Sequence, residues 1–428
     1  MMRKLSVCGI IAVFAASSFG QKLTMDEAIR LAKRNNGTLK AAEQDLIASR
    51  ARHTIAASAF LPTITPSLTY TDSLRQIPNA TLGNNSVAFT QTSTQAGLTW
   101  RALDAGERLA NLRASRESVS AQAAQTEQTL RLLIFDVESD FLETLRTQEL
   151  EKVANAEQGR SEKVLDQTKT RVAVGDAARR EVLQAEADAL NAKVNAITAR
   201  NKTNTNSALL KAIIGLQKDY AELELDPVSF TPSTDLPATV EAAVDMGLKT
   251  RPDLIARRKS VNSQLDSLRV TEIDAGLTWS LDFTYSRQFS PNQSSNRNLS
   301  FLTSYPLFDG GKSQALVTEG RANVNASKAL LDQSEKDARS EIEADFSTYS
   351  QDQLRLQSAE LALKAAQLNY EAADGSQKAG AASLLDVITA QVSLVTAESN
   401  YIQATYDVLI AQLRLRLVTG LPMPGENS

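Results

Sequence analysis

The chain has 428 residues, 42% of them hydrophobic but only 5% aromatic, with 22% charged and a formal net charge of −4. That balance offers no basic surface for nucleic acid, and the shortage of large side chains argues against a thick globular core. A single Cys8 and a single His53 leave no internal disulfide and no Cys/His metal site. No nucleophile–base set or phosphate loop is present either, so neither catalysis nor a cofactor is expected.

In chain order, residues 1–20 come first. Met1, Met2, Arg3 and Lys4 form a basic start, residues 5–16 are apolar but too short to span a bilayer, and small residues follow up to Gly20. This reads as a secretory signal peptide. Its removal would take away Cys8, Arg3 and Lys4 and leave a mature charge of −6. No later stretch is apolar enough for a transmembrane helix, so any membrane contact must use strands.

Residues 21–216 form a first repeat: a helix over 25–60, a hairpin over about 61–100, a long helix over 104–174 and a helix over 180–215. A linker of residues 217–238 follows. Residues 239–421 repeat the plan with a helix over 239–273, a hairpin over about 277–307, a long helix over 310–378 and a helix over 384–418. Residues 422–428 are a tail. The duplication is read from register. Ala28 and Ala243, Leu39 and Leu254, and Tyr70 and Tyr285 are all 215 residues apart. From Trp100 onward the spacing becomes 205, which joins Asp104 to Asp309, Phe141 to Phe346, Gly175 to Gly380 and Gly215 to Gly420. The two long helices lack proline, and the shorter pair in each repeat together matches the long one in length. Their narrow stripes (Leu130, Leu133, Val137 and Phe141; Ile342, Phe346 and Tyr349) suit lateral packing with water on both other sides. Glu138 and Asp140 read as part of a solvated face.

The hairpins carry the clearest pattern. Trp279, Leu281, Phe283 and Tyr285 alternate with Thr278, Ser280, Asp282 and Thr284, and Ile64, Leu68 and Tyr70 alternate with Ser and Thr. Loops are expected over 77–86 and 290–298 from their Pro, Asn and Gly. A polar face of Ser, Thr and Gln suits a wetted lumen. An apolar face with Trp and Tyr suits a bilayer, so Ile64, Leu68, Tyr70, Trp279, Leu281, Phe283, Tyr285 and Tyr305 are expected to face lipid. Four strands cannot close a barrel, and open edges in lipid are costly, so several chains must share one.

This layout resembles the outer membrane factors, the TolC-like outer membrane efflux proteins, across essentially the whole mature chain. The resemblance is carried by Arg251-Pro252-Asp253-Leu254, by Pro306-Leu307-Phe308-Asp309-Gly310-Gly311, by Asp104-Ala105-Gly106, and by the turns at Val174-Gly175-Asp176 and Ala379-Gly380-Ala381. It implies a mainly α fold with membrane β: a homotrimer whose helical barrel, a periplasmic coiled-coil tunnel, continues into a shared 12-stranded outer-membrane β-barrel. It implies passive export of substrates passed on by an inner-membrane transporter through a periplasmic adaptor. The contact residues for that adaptor would be Val174, Gly175, Asp176, Ala379, Gly380 and Ala381. Glu181 and Asp386 would ring the pore mouth, with Thr389 where the family has a second aspartate. Gln377 and Ala382 stand where the best-known member has a tyrosine–arginine latch. Arg179 and Arg180 offer another ionic closure or simply a solvated helix start. Ser383 to Asp386 has capping-box spacing, so Asp386 can cap a helix as well as filter ions. A non-conducting periplasmic coiled-coil adaptor or spacer is the alternative function.

Overall fold

The computed structural model describes residues 22–79, 83–175, 178–216, 224–227, 235–379 and 381–426. The expected signal peptide, Asp176 and Gly380 lie outside the described residues. The elements are α1 Met25–Asn35, α2 Gly37–Ser58, β1 Thr63–Asn79, β2 Gly83–Asp104, α3 Glu107–Ala173 and α4 Arg179–Ile213. The second half repeats them as α5 Val240–Thr250, α6 Pro252–Asp274, β3 Thr278–Ser290, β4 Ser294–Ser304, α7 Lys312–Lys378 and α8 Leu384–Thr419.

Three expectations are corrected. The first helix of each repeat is two helices. Asn36 turns extended, and its side chain accepts the Leu39 amide at 2.9 Å, capping α2. At the equivalent Arg251, Pro252 opens α6 without an amide hydrogen and forces the residue before it out of the helix. The hairpins also run past the expected loops, to Asn79 and from Gly83 in one and from Ser294 in the other. Asn296 and Asn298, read as loop residues, pair with Ser286 and Thr284 on the polar side of the sheet, where an amide stays wet. Finally, the linker and tail are partly built into the fold. Leu23 pairs with Leu225, which is buried, and Met423 is buried as well. Lys33 Nζ donates to the carbonyls of Gly425 at 2.8 Å and Glu426 at 3.1 Å.

The helices stand in columns. α2 and α4 both flank α3, α6 and α8 both flank α7, and α6 and α8 also pack on α3. α3 and α7 have 67 residues each, a length of about 100 Å. α3 lies inside this set and buries sixteen residues, whereas α7 at the border buries only Val324, Ala338 and Ile342. No described helix is long and apolar enough to cross a membrane.

Large apolar side chains gather where α1, α3, the end of α4 and the 420s meet: Ile29, Ile134, Val137, Phe141, Leu210, Ile214 and Met423. The second repeat keeps a smaller counterpart, with Val244, Ile342, Leu415 and Val418. The duplication reaches the finest detail at two helix ends. Gly215 and Gly420 both have φ near +70° (71° and 69°), a backbone that favours glycine. A Cβ would stand 2.5 Å from Asn35 Cβ at Gly215 and 2.5 Å from Thr250 Oγ1 at Gly420, and those neighbours are themselves 215 residues apart.

Within this frame one expectation about the core fails. Glu138, expected on a solvated face, is 1% exposed, and its Oε2 has no hydrogen-bond partner among the described residues. Burial pushes its carboxyl up to about 8, with Arg416 pulling down and Asp26 pushing further up. Its repeat equivalent, Glu343, is exposed. Both repeats are capped by a short helix, but α3 has α8 as well as α4 beside it, while α7 has no such second helix in the single copy.

Candidate functional site

The sheet sits at one end of the helices and the α3–α4 and α7–α8 turns at the other. All four strands are antiparallel in the order β1-β2-β3-β4, so β1 and β4 are open edges. Pairing decides the faces. Ile64 lies opposite Leu98, and Leu98 opposite Tyr285; Trp100 faces Phe283, and Phe283 faces Leu299; Leu281 sits between Leu103 and Phe301. Cross-strand partners share a face, so the residues expected to face lipid lie on one side. The rings of Trp279 and Phe301 are 6.4 Å apart there. Tyr305 is placed one residue past β4 rather than within it, although it continues the parity of Phe301 and Thr303. The opposite face carries Thr65, Ser67, Gln95, Thr99, Thr284 and Ser286.

Below that polar face lies a concavity of about 890 Å³ between β2, β3, α2, α3 and α6, lined by Arg52, Asn111, Ser115, Ser263, Ser267 and Thr284 among others. His53 sits beside it with Nδ1 2.9 Å from Ser115 Oγ, so the only imidazole has a local partner. Arg101, on the polar face, lies 3.3 Å from Asp282. The joint between strand and long helix explains the Asp-x-Gly spacing. Asp104 accepts the Gly106 amide at 2.9 Å and Asp309 the Gly311 amide at 3.0 Å, with both glycines left-handed at the helix start. The first joint has a clamp that the second lacks. Arg108, buried, bonds Asp104, the Ala59 carbonyl at 2.9 Å and the Arg101 carbonyl at 2.6 Å, and lies over the Phe60 ring. Ser313 takes its place in the second repeat and bonds Asp309.

At the far end, α3 closes at Val174, three-quarters exposed, and Gly175 turns the chain with φ +84°. α7 closes at Ala379, and the Ala381 amide reaches back to the Ser376 carbonyl at 2.8 Å. Arg179 and Arg180 are exposed in the first turn of α4, and Glu181 folds back to accept the Ala178 amide at 3.4 Å. Asp386 is exposed and caps α8: it accepts the Ser383 amide at 2.9 Å and hydroxyl at 2.8 Å, while its own amide donates to Ser383 Oγ at 3.3 Å. Those bonds, the hydroxyl first, hold its carboxyl below the usual carboxylate range. Thr389, also exposed, spends its hydroxyl on the Leu385 carbonyl at 2.8 Å. Glu181 and Asp386 thus occupy equivalent positions at one end, and among the described residues no hydrogen bond joins them.

A polar seam above this end went unread in the sequence. Between α3, α4 and α8, Gln391 donates to Ser161 at 3.0 Å, and Arg160 meets Glu398 at 3.2 Å. Burial raises Glu157 beside them. The seam joins residues more than 200 positions apart, so no local pattern signals it.

Comparison with known proteins places this architecture. The model of the outer membrane efflux protein family matches residues 28–216 and 243–421, the two halves of the duplication. TolC of Vibrio cholerae is 24% identical over 379 residues, covering 86% of this chain and 84% of its own. TolC of Escherichia coli is 22% identical over 431 residues, covering 94% and 83%. The crystal structure of the outer membrane protein VceC from Vibrio cholerae superposes with a TM-score of 0.80 at 17% identity, covering 94% of this chain and 97% of that one. The chain belongs to the outer membrane efflux protein family, and its fold is that of the TolC-like outer membrane channels.

Proposed function

We propose that this member of the outer membrane efflux protein family works as a homotrimeric exit duct. It would conduct substrates passively across the outer membrane after an inner-membrane transporter and a periplasmic adaptor hand them on, in efflux or secretion. The observation that carries the reading is that one copy is unfinished at both sides. β1 and β4 have unpaired edges beside an exposed apolar face, and a strand edge in lipid leaves backbone groups unsatisfied at several kcal/mol each. The helical layer ends just as openly. Leu354, Leu361 and Leu368 project from α7, and Leu183, Leu190 and Ile197 from α4, each set at seven-residue spacing and all exposed in the single copy.

Different edges meet head to tail, which generates a ring. Two copies would supply eight strands, a barrel that its own side chains about fill, whereas three supply twelve and leave a lumen. The apolar face then meets lipid and the Ser, Thr and Gln face meets water. The α3–α4 and α7–α8 turns become the periplasmic tip, where Val174, Gly175, Asp176, Ala379, Gly380 and Ala381 are the adaptor contacts. Purified protein in a planar bilayer tests the duct: long-lived conductance steps are expected, and a silent bilayer despite inserted protein contradicts it.

At the mouth, threefold repetition turns Asp386 and Glu181 into rings of like charge, whose field favours cations. Asp386→Asn keeps an oxygen for the Ser383 cap while removing three charges from the ring. The substitution is expected to move the single-channel reversal potential in a salt gradient toward zero. An unchanged potential would leave Asp386 a helix cap only.

A further inference from the structure

The duplication predicts more than likeness between the halves. It also fixes which residues of one hairpin correspond to which of the other. The two hairpins have the same register: Thr63 pairs with Thr99, and Thr278, 215 residues on, pairs with Ser304, 205 residues on. Strand β2 has a neighbour beyond its hairpin, namely β3, with Leu98 opposite Tyr285, Thr99 opposite Thr284, Trp100 opposite Phe283, Leu103 opposite Leu281 and Asp104 opposite Ser280. Strand β4, the repeat equivalent of β2, has none among the described residues. Where β2 runs to Asp104, β4 stops at Ser304, and the next residues are bare: Leu307 and Phe308 are each 91% exposed. Their equivalents, Ala102 and Leu103, lie in the β2–β3 seam, at its bulge and opposite Leu281.

We infer that β4 docks on β1 of a second copy of this chain in the register that β2 already keeps with β3. Shifting β2 forward by 205 and β3 back by 215 places Thr303 opposite the partner subunit's Tyr70. Ser304 then meets the partner subunit's Thr69, Tyr305 the partner subunit's Leu68, Phe308 the partner subunit's Pro66 and Asp309 the partner subunit's Thr65. The strand grows by five residues on assembly, Leu307 becomes the bulge, and Phe308 is covered. The faces agree, since Tyr305 and the partner subunit's Leu68 both lie on the apolar side. The two seams differ in one respect. Pro306 and Ser67 replace Arg101 and Asp282, so the seam between copies has neither the charge pair nor one amide donor.

The inference rests on the trimeric reading, and disulfide trapping separates the two. Mature protein carries no other cysteine once residues 1–20 are removed. Two double variants, Thr303→Cys with Tyr70→Cys and Ser304→Cys with Thr69→Cys, report adjacent positions. Narrow and wide pairs alternate along an antiparallel ladder, so one of the two has the closer spacing. Ser304→Cys with Ser67→Cys and Ser304→Cys with Thr71→Cys report slips of two residues. After mild oxidation in detergent, at least one predicted pair is expected to give covalent trimers about tenfold more abundant than either slipped pair. A slipped pair that links as well or better overturns the register while the trimer stands. An amine-reactive cross-linker applied to the same samples reports assembly independently, and its failure to yield trimers overturns both readings.

Discussion

Glu138→Gln is expected to stabilise the protein at pH 8 and to leave it nearly unchanged at pH 4. In the unfolded chain this carboxyl titrates near its ordinary value of 4.5, while in the fold burial lifts it to about 8. Below 4.5 both states hold the proton, and burial costs no ionisation. As pH rises from there, the unfolded chain releases the proton and the native core does not, so wild-type stability falls. Above about 8 the loss is complete, roughly 5 kcal/mol per copy at about 1.4 kcal/mol for each pH unit between the two values. The groups that bias the site are Arg416 on α8, which favours ionisation, and Asp26 on α1, which opposes it. Thermal unfolding midpoints of detergent-solubilised protein between pH 4 and 9 measure the effect. Wild type and variant should coincide at the acid end and separate steadily toward the alkaline end. Parallel curves for Glu138→Gln would mean that the buried carboxyl finds its charge compensated.

Leu361→Asp is expected to abolish the trimer while leaving the single copy folded. Leu361 is 71% exposed in the protomer, so the substitution removes little from its own core. In the ring the same position would face the neighbouring α4. Each of three interfaces then loses about 2–3 kcal/mol of leucine burial and gains an unpaired carboxylate whose desolvation costs more. Because the ring closes only when every interface forms, the losses act together. Size-exclusion chromatography with light scattering reads the mass, and far-ultraviolet circular dichroism reads the helix content. Helical protein at one-third of the mass is the expected outcome. A trimer of undiminished stability would remove the α7 stripe from the interface.

The duplication was legible because its markers are residues whose roles do not depend on distant packing. Gly215 and Gly420 need a left-handed backbone, and Asp104 and Asp309 cap the turn two residues away, so each repeats where the chain repeats. The strands were legible because alternation reports directly on two different surroundings, and the observed pairing keeps Leu68, Tyr70, Leu281, Phe283 and Tyr285 on one side. The break at Arg251 had a visible cause in Pro252. The break at Asn36 had one too, the Asn-Gly pair at 36–37, a turn dipeptide inside the stretch read as one helix. Asn296 and Asn298 misled for a different reason: a wetted sheet face accepts residues that composition assigns to loops.

At the mouth, the capping role of Asp386 was visible from its spacing to Ser383, its place in a charge ring came only from the family resemblance, and the structure supplies the cap bonds. The burial of Glu138 was partly legible and passed over. One turn away on either side stand Ile134, Phe141 and Leu142, all buried, so the helical period places the carboxylate on the apolar face. What no local window contains is its charged surroundings, Asp26 from α1 and Arg416 from α8.

Mass measurement of the intact detergent-solubilised protein tests the shared duct most directly, combined with extraction of membranes with and without detergent. Three copies per particle, released only by detergent, is the predicted result. A monomer that enters buffer freely would contradict the shared barrel and favour a periplasmic spacer built from the same helices.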